Sequence, residues 1–204
     1  MTLAQRLVRL ATALSVRAPV LWRLFRGPMR RNFDRLAPEW DGPRARPDRL
    51  QPILRAMEAV PDVPARVLDV GTGSGAVARL VARHWPTAEI VGADSSPGMI
   101  EQARRLASTP RERYDVADAS RLPYPDESFD AVLLNNMIPF FDELARVTAP
   151  GGVVAIAYSL GSRTPIWVPL DRVRRELERR GFAHVADFSA GAGVSLLARK
   201  DDRS

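Results

Sequence analysis

"VLDVGTGSGAVARL", residues 67–80, decides how this chain folds. An apolar run reaches Asp69, glycines follow at positions 71, 73 and 75, and apolar residues then return at helical spacing. That order reads as a strand, a tight turn and the start of a helix, the layout that offers a helix N-terminus to a nucleotide. Two patterns overlap in it. Gly71, Gly73 and Ala76 satisfy the spacing of dinucleotide binding, whereas Gly71, Gly73 and Gly75 satisfy another, and the rest of the chain has to choose.

Outward from the turn, strand and helix patterns alternate. "ARVLDV" (65–70) reads as a buried strand, residues 74–84 as a helix and "AEIVGAD" (88–94) as a strand. "SPGMIEQARRLA" (96–107) is a helix capped by Ser96 with Pro97 in its first turn. "RYDVADA" (113–119) and "SFDAVLLNN" (128–136) are strands, and "FFDELARVT" (140–148) is a helix stopped by "APGG". The strand "VVAIAYSL" (153–160), a helix over 168–180 and strands near "HVADF" and "GVSLLARK" close the chain. The expected fold is α/β: a Rossmann-like, doubly wound, mostly parallel seven-stranded sheet. The last two strands lack a helix between them, which requires a hairpin and one antiparallel strand.

Composition narrows the function classes. The 204 residues include no cysteine and two histidines, His84 and His184, which excludes a disulfide framework, a thiolate nucleophile and a histidine metal cluster. No apolar run approaches the ~18 residues of a membrane span, so a cytoplasmic, soluble protein is expected. The charge is uneven. Residues 1–64 hold 12 Arg against 6 acids, while residues 65–204 are balanced at 18 against 18.

The chain is therefore divided into a basic helical extension, 1–64, and an α/β domain, 65–204. In the extension Leu3, Leu7, Leu10 and Leu14 recur at helical spacing with Arg6, Arg9 and Arg17 on the other side, and Pro19 and Pro28 punctuate the region after them. Pro43 and Pro47 flank an arginine-rich linker, and a second helix over Asp48–Val60, capped by Asp48, presents Leu50, Ile53, Leu54 and Met57. The expectation is a lid or packed helix with Leu7, Leu10 and Leu14 buried. Docking on nucleic acid or on an anionic membrane surface are the rival readings.

Three aspartates at strand ends choose the nucleotide. Asp69 stands two residues before Gly71, awkward beside a pyrophosphate but suited to a positively charged ligand such as S-adenosylmethionine, with its ammonium and sulfonium. Asp94 ends the second strand, where a carboxylate accepts both ribose hydroxyls of either ligand. Asp118 follows the third strand, placed to accept from an adenine amino group with the Ala119 backbone beside it.

With these residues in place, 65–157 resembles a class I S-adenosylmethionine-dependent methyltransferase of the methyltransferase-11 and ubiquinone/menaquinone-biosynthesis group. "VLDVGTGSG", "VGADSSPGMIEQAR", "VADASRLPYPDESFDAVLLNN" and "ELARVTAPGGVVAIA" resemble its successive motifs, and "NFDRLAPEWD" (32–41) its lead-in, with Trp40 where Tyr is common. The resemblance implies S-adenosylmethionine as cofactor, held by Asp69, Gly71, Gly73, Asp94, Met99, Asp118, Ala119 and Asn135, with Thr72, Gly75 and Ser95 adjoining. It implies in-line methyl transfer to a small, partly apolar molecule. The alternative is a nucleic-acid or protein substrate docked through the basic extension.

The chain departs from that group in two places. Only one short helix separates "LLNN" from "APGG", and the usual small-molecule histidine near its start is replaced by "NNMIPFFDE". That stretch loosely resembles an Asn-Pro-Pro-aromatic turn, but Met137 and Ile138 separate Asn136 from Pro139, so it reads as strand end and helix entry. By topology alone, Asn136, Phe140, Tyr158 and Trp167, with Phe141, Asp142, Ser159 and Arg163, could line an acceptor pocket. No catalytic base is assigned, because both histidines belong at the opposite end of the sheet. Nucleic acid is not the expected partner, contact of the N-terminal helix with a membrane stays open, and the oligomeric state is unread.

Overall fold

A computed structural model describes residues 3–37 and 47–202. Its centre is a seven-stranded sheet of β1 (Arg66–Val70), β2 (Glu89–Asp94), β3 (Glu112–Val116), β4 (Phe129–Asn135), β5 (Thr148–Tyr158), β6 (Phe182–Ala190) and β7 (Gly193–Lys200). The strand order is β3-β2-β1-β4-β5-β7-β6. β1 to β5 pair in parallel, and β7 runs antiparallel to both β5 and β6. The closing hairpin thus supplies the one antiparallel strand. The order reverses between β1 and β4, which opens a crevice at their carboxyl ends.

The central strands are apolar on both faces because helices cover both. Val67, Ile90, Ala131, Leu133 and Leu197 face one layer, formed by α3 (Gln51–Glu58), α4 (Ala76–His84) and α5 (Pro97–Leu106). Leu68, Val91, Val132, Leu134, Ile156 and Leu196 face the other, where α6 (Phe141–Val147) and α7 (Leu170–Glu178) lie. Ser96 caps α5 by accepting from the Met99 N–H.

Three details differ from the expected pattern. α3 starts at Gln51 with no side-chain cap, and Asp48 belongs to a preceding 3-10 turn, Pro47–Leu50. Ile53 and Met57 of α3 are fully buried against the sheet, and Ser195 Oγ of β7 donates to the Pro52 carbonyl at 2.6 Å. The boundary at residue 64 therefore falls between two elements that share a core. α6 ends at Val147, before "APGG", and Thr148–Gly152 is already extended within β5.

The N-terminal helices α1 (Leu3–Arg17) and α2 (Trp22–Leu36) lie across the carboxyl ends of the strands. α1 stops before Pro19, but Pro28 sits inside α2 and does not end it. Trp22 on one side of it is buried, Met29 and Phe33 on the other pack inward, and Pro28 itself faces solvent. Trp40 and the rest of the arginine-rich linker lie outside the described residues. The expected burial of the leucine stripe is overturned at Leu7 and Leu10, which are 59% and 56% exposed. Leu14 is half-buried, and Ala11, Thr12 and Ser15 face the domain. A helix pattern shows which face is apolar; the element that covers that face depends on distant partners.

Candidate functional site

The turn after β1 is held from two sides. Gly71 and Thr72 N–H groups donate to the Ala93 carbonyl of β2 at 2.7 and 3.0 Å, and the Gly73 N–H donates to Asp94 Oδ2 at 3.0 Å. Gly71 and Gly73 both adopt positive φ, 73° and 55°. A Cβ on Gly71 would lie 2.7 Å from Met137 Sδ, so the Met137 side chain of the segment after β4 rests directly on this glycine. Gly75 serves a different contact, since a Cβ there would meet Tyr114 Oη of β3 at 2.7 Å.

Above this turn is a cavity of about 640 Å³, within the range of roughly 300–1,000 Å³ for small-molecule sites. Gly71, Thr72, Gly73, Asp94, Ser95, Met99, Ala119 and Asn135 line it, as does Asn136. Its floor follows the strand order, from the ends of β3 and β2 past β1 to β4 and β5.

Asp94 bridges two backbones. Oδ2 accepts from Gly73, and Oδ1 accepts from the Ser96 N–H at 2.9 Å. Burial raises its pKa, against hydrogen bonds from the Ser96, Gly73 and Ser95 N–H groups that favour the ionised form. Three N–H donors leave the carboxylate acceptor capacity for a further donor. Asn135 Oδ1 is buried with no hydrogen-bond partner, a vacant acceptor on a residue of the cavity wall. Asn136 adopts φ 58°, an αL conformation that asparagine tolerates. Its Nδ2 donates to Ser159 Oγ at 3.0 Å and its Oδ1 accepts from the Ser159 N–H at 2.8 Å, which ties the end of β4 to the end of β5.

Several expected residues lie elsewhere. Asp69 does not line the cavity. Like Val67, two residues earlier, it faces the α3–α5 layer, where Oδ2 accepts from Thr72 Oγ1 at 2.6 Å and from the Ala78 N–H at 3.2 Å. Burial pushes its pKa up to about 7 despite those bonds. The carboxylate thus pins the turn to the first turn of α4. Asp118 is also outside the lining. Its Oδ1 accepts from Trp22 Nε1 at 2.9 Å and from the Ser120 N–H and Oγ at 2.9 and 2.7 Å, and Oδ2 accepts from Arg26 at 3.2 Å. Burial raises its pKa, but these bonds from Ser120, Trp22 and Arg26 outweigh it and hold the carboxyl below its usual value.

Phe140, Tyr158 and Trp167 are not cavity residues either. Phe140 stacks edge-on against Trp22 at 5.5 Å, and fully buried Tyr158 packs on Trp167 at 4.9 Å in the α6–α7 core. Phe141 and Asp142 face a smaller recess beside α7, and Arg163 is exposed outside the cavity. His84 stacks on Trp85, and His184 pairs with Asp187 at 2.9 Å.

The missing wall comes from the N-terminal helices. Val8, Trp22, Met29 and Phe33 line the cavity, joined by Met137, Ile138, Leu160, Pro165 and Ile166. Arg9 Nη2 donates to the carbonyls of Ser162 and Thr164, and Asp34 Oδ1 accepts from Ser96 Oγ at 2.5 Å and the Gly98 N–H at 3.2 Å. These ties join positions 62 to 155 residues apart, invisible to local pattern.

A doubly wound sheet with a glycine turn and an acidic strand end at its switch point defines a Rossmann-like nucleotide-binding protein. A methyltransferase-domain family model matches residues 67–152. A malonyl-[acyl-carrier protein] O-methyltransferase of Geobacter sulfurreducens is 38% identical over 194 residues, covering 80% of this chain and 73% of that protein. The chain belongs to the class I S-adenosylmethionine-dependent methyltransferases. A demethylmenaquinone methyltransferase of Deinococcus radiodurans is 43% identical over 106 residues, 48% of this chain and 44% of that protein. Several such curated relatives are matched over only about half their own length, between 44% and 49%. The solved structure of a SAM-dependent methyltransferase from Aquifex aeolicus shares the fold, with a TM-score of 0.66 at 19% identity over 81% of this chain and 97% of that one.

Proposed function

We propose that this chain transfers a methyl group from S-adenosylmethionine to a small, partly apolar acceptor bound in the same cavity. The carrying observation is the cavity's lining: a glycine turn and the half-buried Asp94 carboxylate at one end, an apolar wall at the other. Relatives named for demethylmenaquinone and malonyl-[acyl-carrier protein] support a small-molecule acceptor.

The residues present fit the donor. Gly71 and Gly73 line the cavity in the positive-φ conformation that favours glycine, Asp94 offers carboxylate oxygens to a ribose diol, and the vacant Asn135 Oδ1 suits a cationic donor group. Thr72, Ser95, Met99 and Ala119 complete that end of the wall, while Asp69 acts from beneath by fixing the turn. Asp118 becomes available to an adenine amino group when Trp22 or Arg26 releases it.

When bound, S-adenosylmethionine supplies a methyl carbon activated by its sulfonium. The protein's part is alignment and exclusion of water. Met137, Ile138 and Ile166 enclose the space beyond the turn, and Val8, Met29 and Phe33 roof it. Asn136 fixes the end of β4 through its paired bonds to Ser159.

The test is incubation with donor labelled in the methyl group and a panel of apolar phenols, quinols and carboxylic acids. Label in one extracted product, lost in Asp94→Ala, supports the reading. Transfer to nucleic acid or protein alone would overturn the acceptor class.

A further inference from the structure

We propose that the outer face of α1 and α2 docks this protein on an anionic lipid bilayer. A helix resting on its own domain ordinarily buries its most apolar stripe. α1 does so only in part: Val8, Ala11 and Val16 are turned inward with Thr12 and Ser15, but Leu7 and Leu10 are turned out. Val20, in the turn after α1, and Leu24 of α2 are exposed as well, at 66% and 68%.

Charge names the partner. Residues 1–33 contain seven arginines and no acid. Arg9 and Arg26 bond inward, to Ser162 and Thr164 and to Asp118. Arg6, Arg17, Arg23, Arg30 and Arg31 are exposed and pair with no acid among the described residues. Two copies of such a face would repel one another, which disfavours self-association through it. Nucleic acid would engage the guanidinium groups but has no use for projecting leucines. An anionic bilayer uses both: apolar side chains enter the boundary between headgroups and chains, while arginines stay among the phosphates. Among the described residues no helix is long and apolar enough to cross a membrane, so the contact is one of lying on the surface.

Docking on lipid is independent of the ligand in the cavity, and its test needs neither donor nor acceptor. The full chain is co-sedimented with vesicles of equal phosphatidylglycerol and phosphatidylcholine, and with phosphatidylcholine alone, over a salt series. Binding should require phosphatidylglycerol and weaken as salt rises. Leu7→Ser with Leu10→Ser should lower partitioning about tenfold or more, since two apolar side chains leave the bilayer boundary. Far-UV circular dichroism should be unchanged, because both positions are exposed and outside the cavity lining. No binding to the anionic vesicles overturns the proposal, as does full binding by the double variant. A gel shift with RNA or DNA in place of vesicle binding, or dimerisation lost in the same variant, would do so too.

Discussion

The indole N–H of Trp22 donates to Asp118 Oδ1 at 2.9 Å, joining the N-terminal helices to the end of β3. With Arg26 and Ser120 also donating, the carboxylate accepts four hydrogen bonds. A donor's adenine amino group would compete with them for the carboxylate. Trp22→Phe keeps a ring against Phe140 and removes the competing N–H. Donor affinity should then rise by up to about tenfold, from a charge-assisted bond of about 1.5 kcal/mol. Calorimetry reads this directly, and a weaker complex would mean that Trp22 belongs to the bound state.

The Arg9 guanidinium holds α1 to the loop after β5 through the Ser162 and Thr164 carbonyls. Arg9→Ala should raise KM for the acceptor several-fold while leaving donor affinity near its original value, because these contacts lie at the β5 end of the cavity. Loss of donor binding with unchanged KM would refute that placement.

Asp69 gives a pH signature. Its folded pKa of about 7 lies above its ordinary value of 3.8, so the folded state holds the proton more tightly than the unfolded chain. Its contribution to stability is full below pH ~4 and is lost as pH rises to ~7, with little further change above. Asp69→Asn keeps the shape and can still bond Thr72 and Ala78. Melting temperatures measured from pH 4 to 8 should decline less steeply in the variant than in the parent. Parallel declines would show that Asp69 does not set the slope.

The sheet was readable because the central strands β1, β2, β4 and β5 carry apolar runs between turn residues, and Ser96 with Pro97 announces α5. The cavity residues Gly71, Gly73, Asp94, Ala119 and Asn135 were readable because they stand at or just after strand ends. Asp69 shows the limit, since charge suggested a ligand while strand alternation turns the side chain under α4. Tyr158 was placed near an acceptor by topology, yet its side chain points into the α6–α7 core. The roof residues Val8, Trp22, Met29 and Phe33 could not be found from spacing, because contacts such as Trp22–Asp118 span 96 positions. The outward leucines of α1 escaped for a related reason: an apolar stripe does not name its cover.

In the proposed function, the cavity over the glycine turn binds S-adenosylmethionine through Asp94. Calorimetric titration of the protein and of Asp94→Ala with S-adenosylmethionine, S-adenosylhomocysteine and NAD tests it most directly. The parent should bind the first two and not NAD. The variant should lose about 1.5–3 kcal/mol for each charge-assisted bond removed. NAD binding tighter than S-adenosylmethionine, or equal donor affinity in parent and variant, would contradict it.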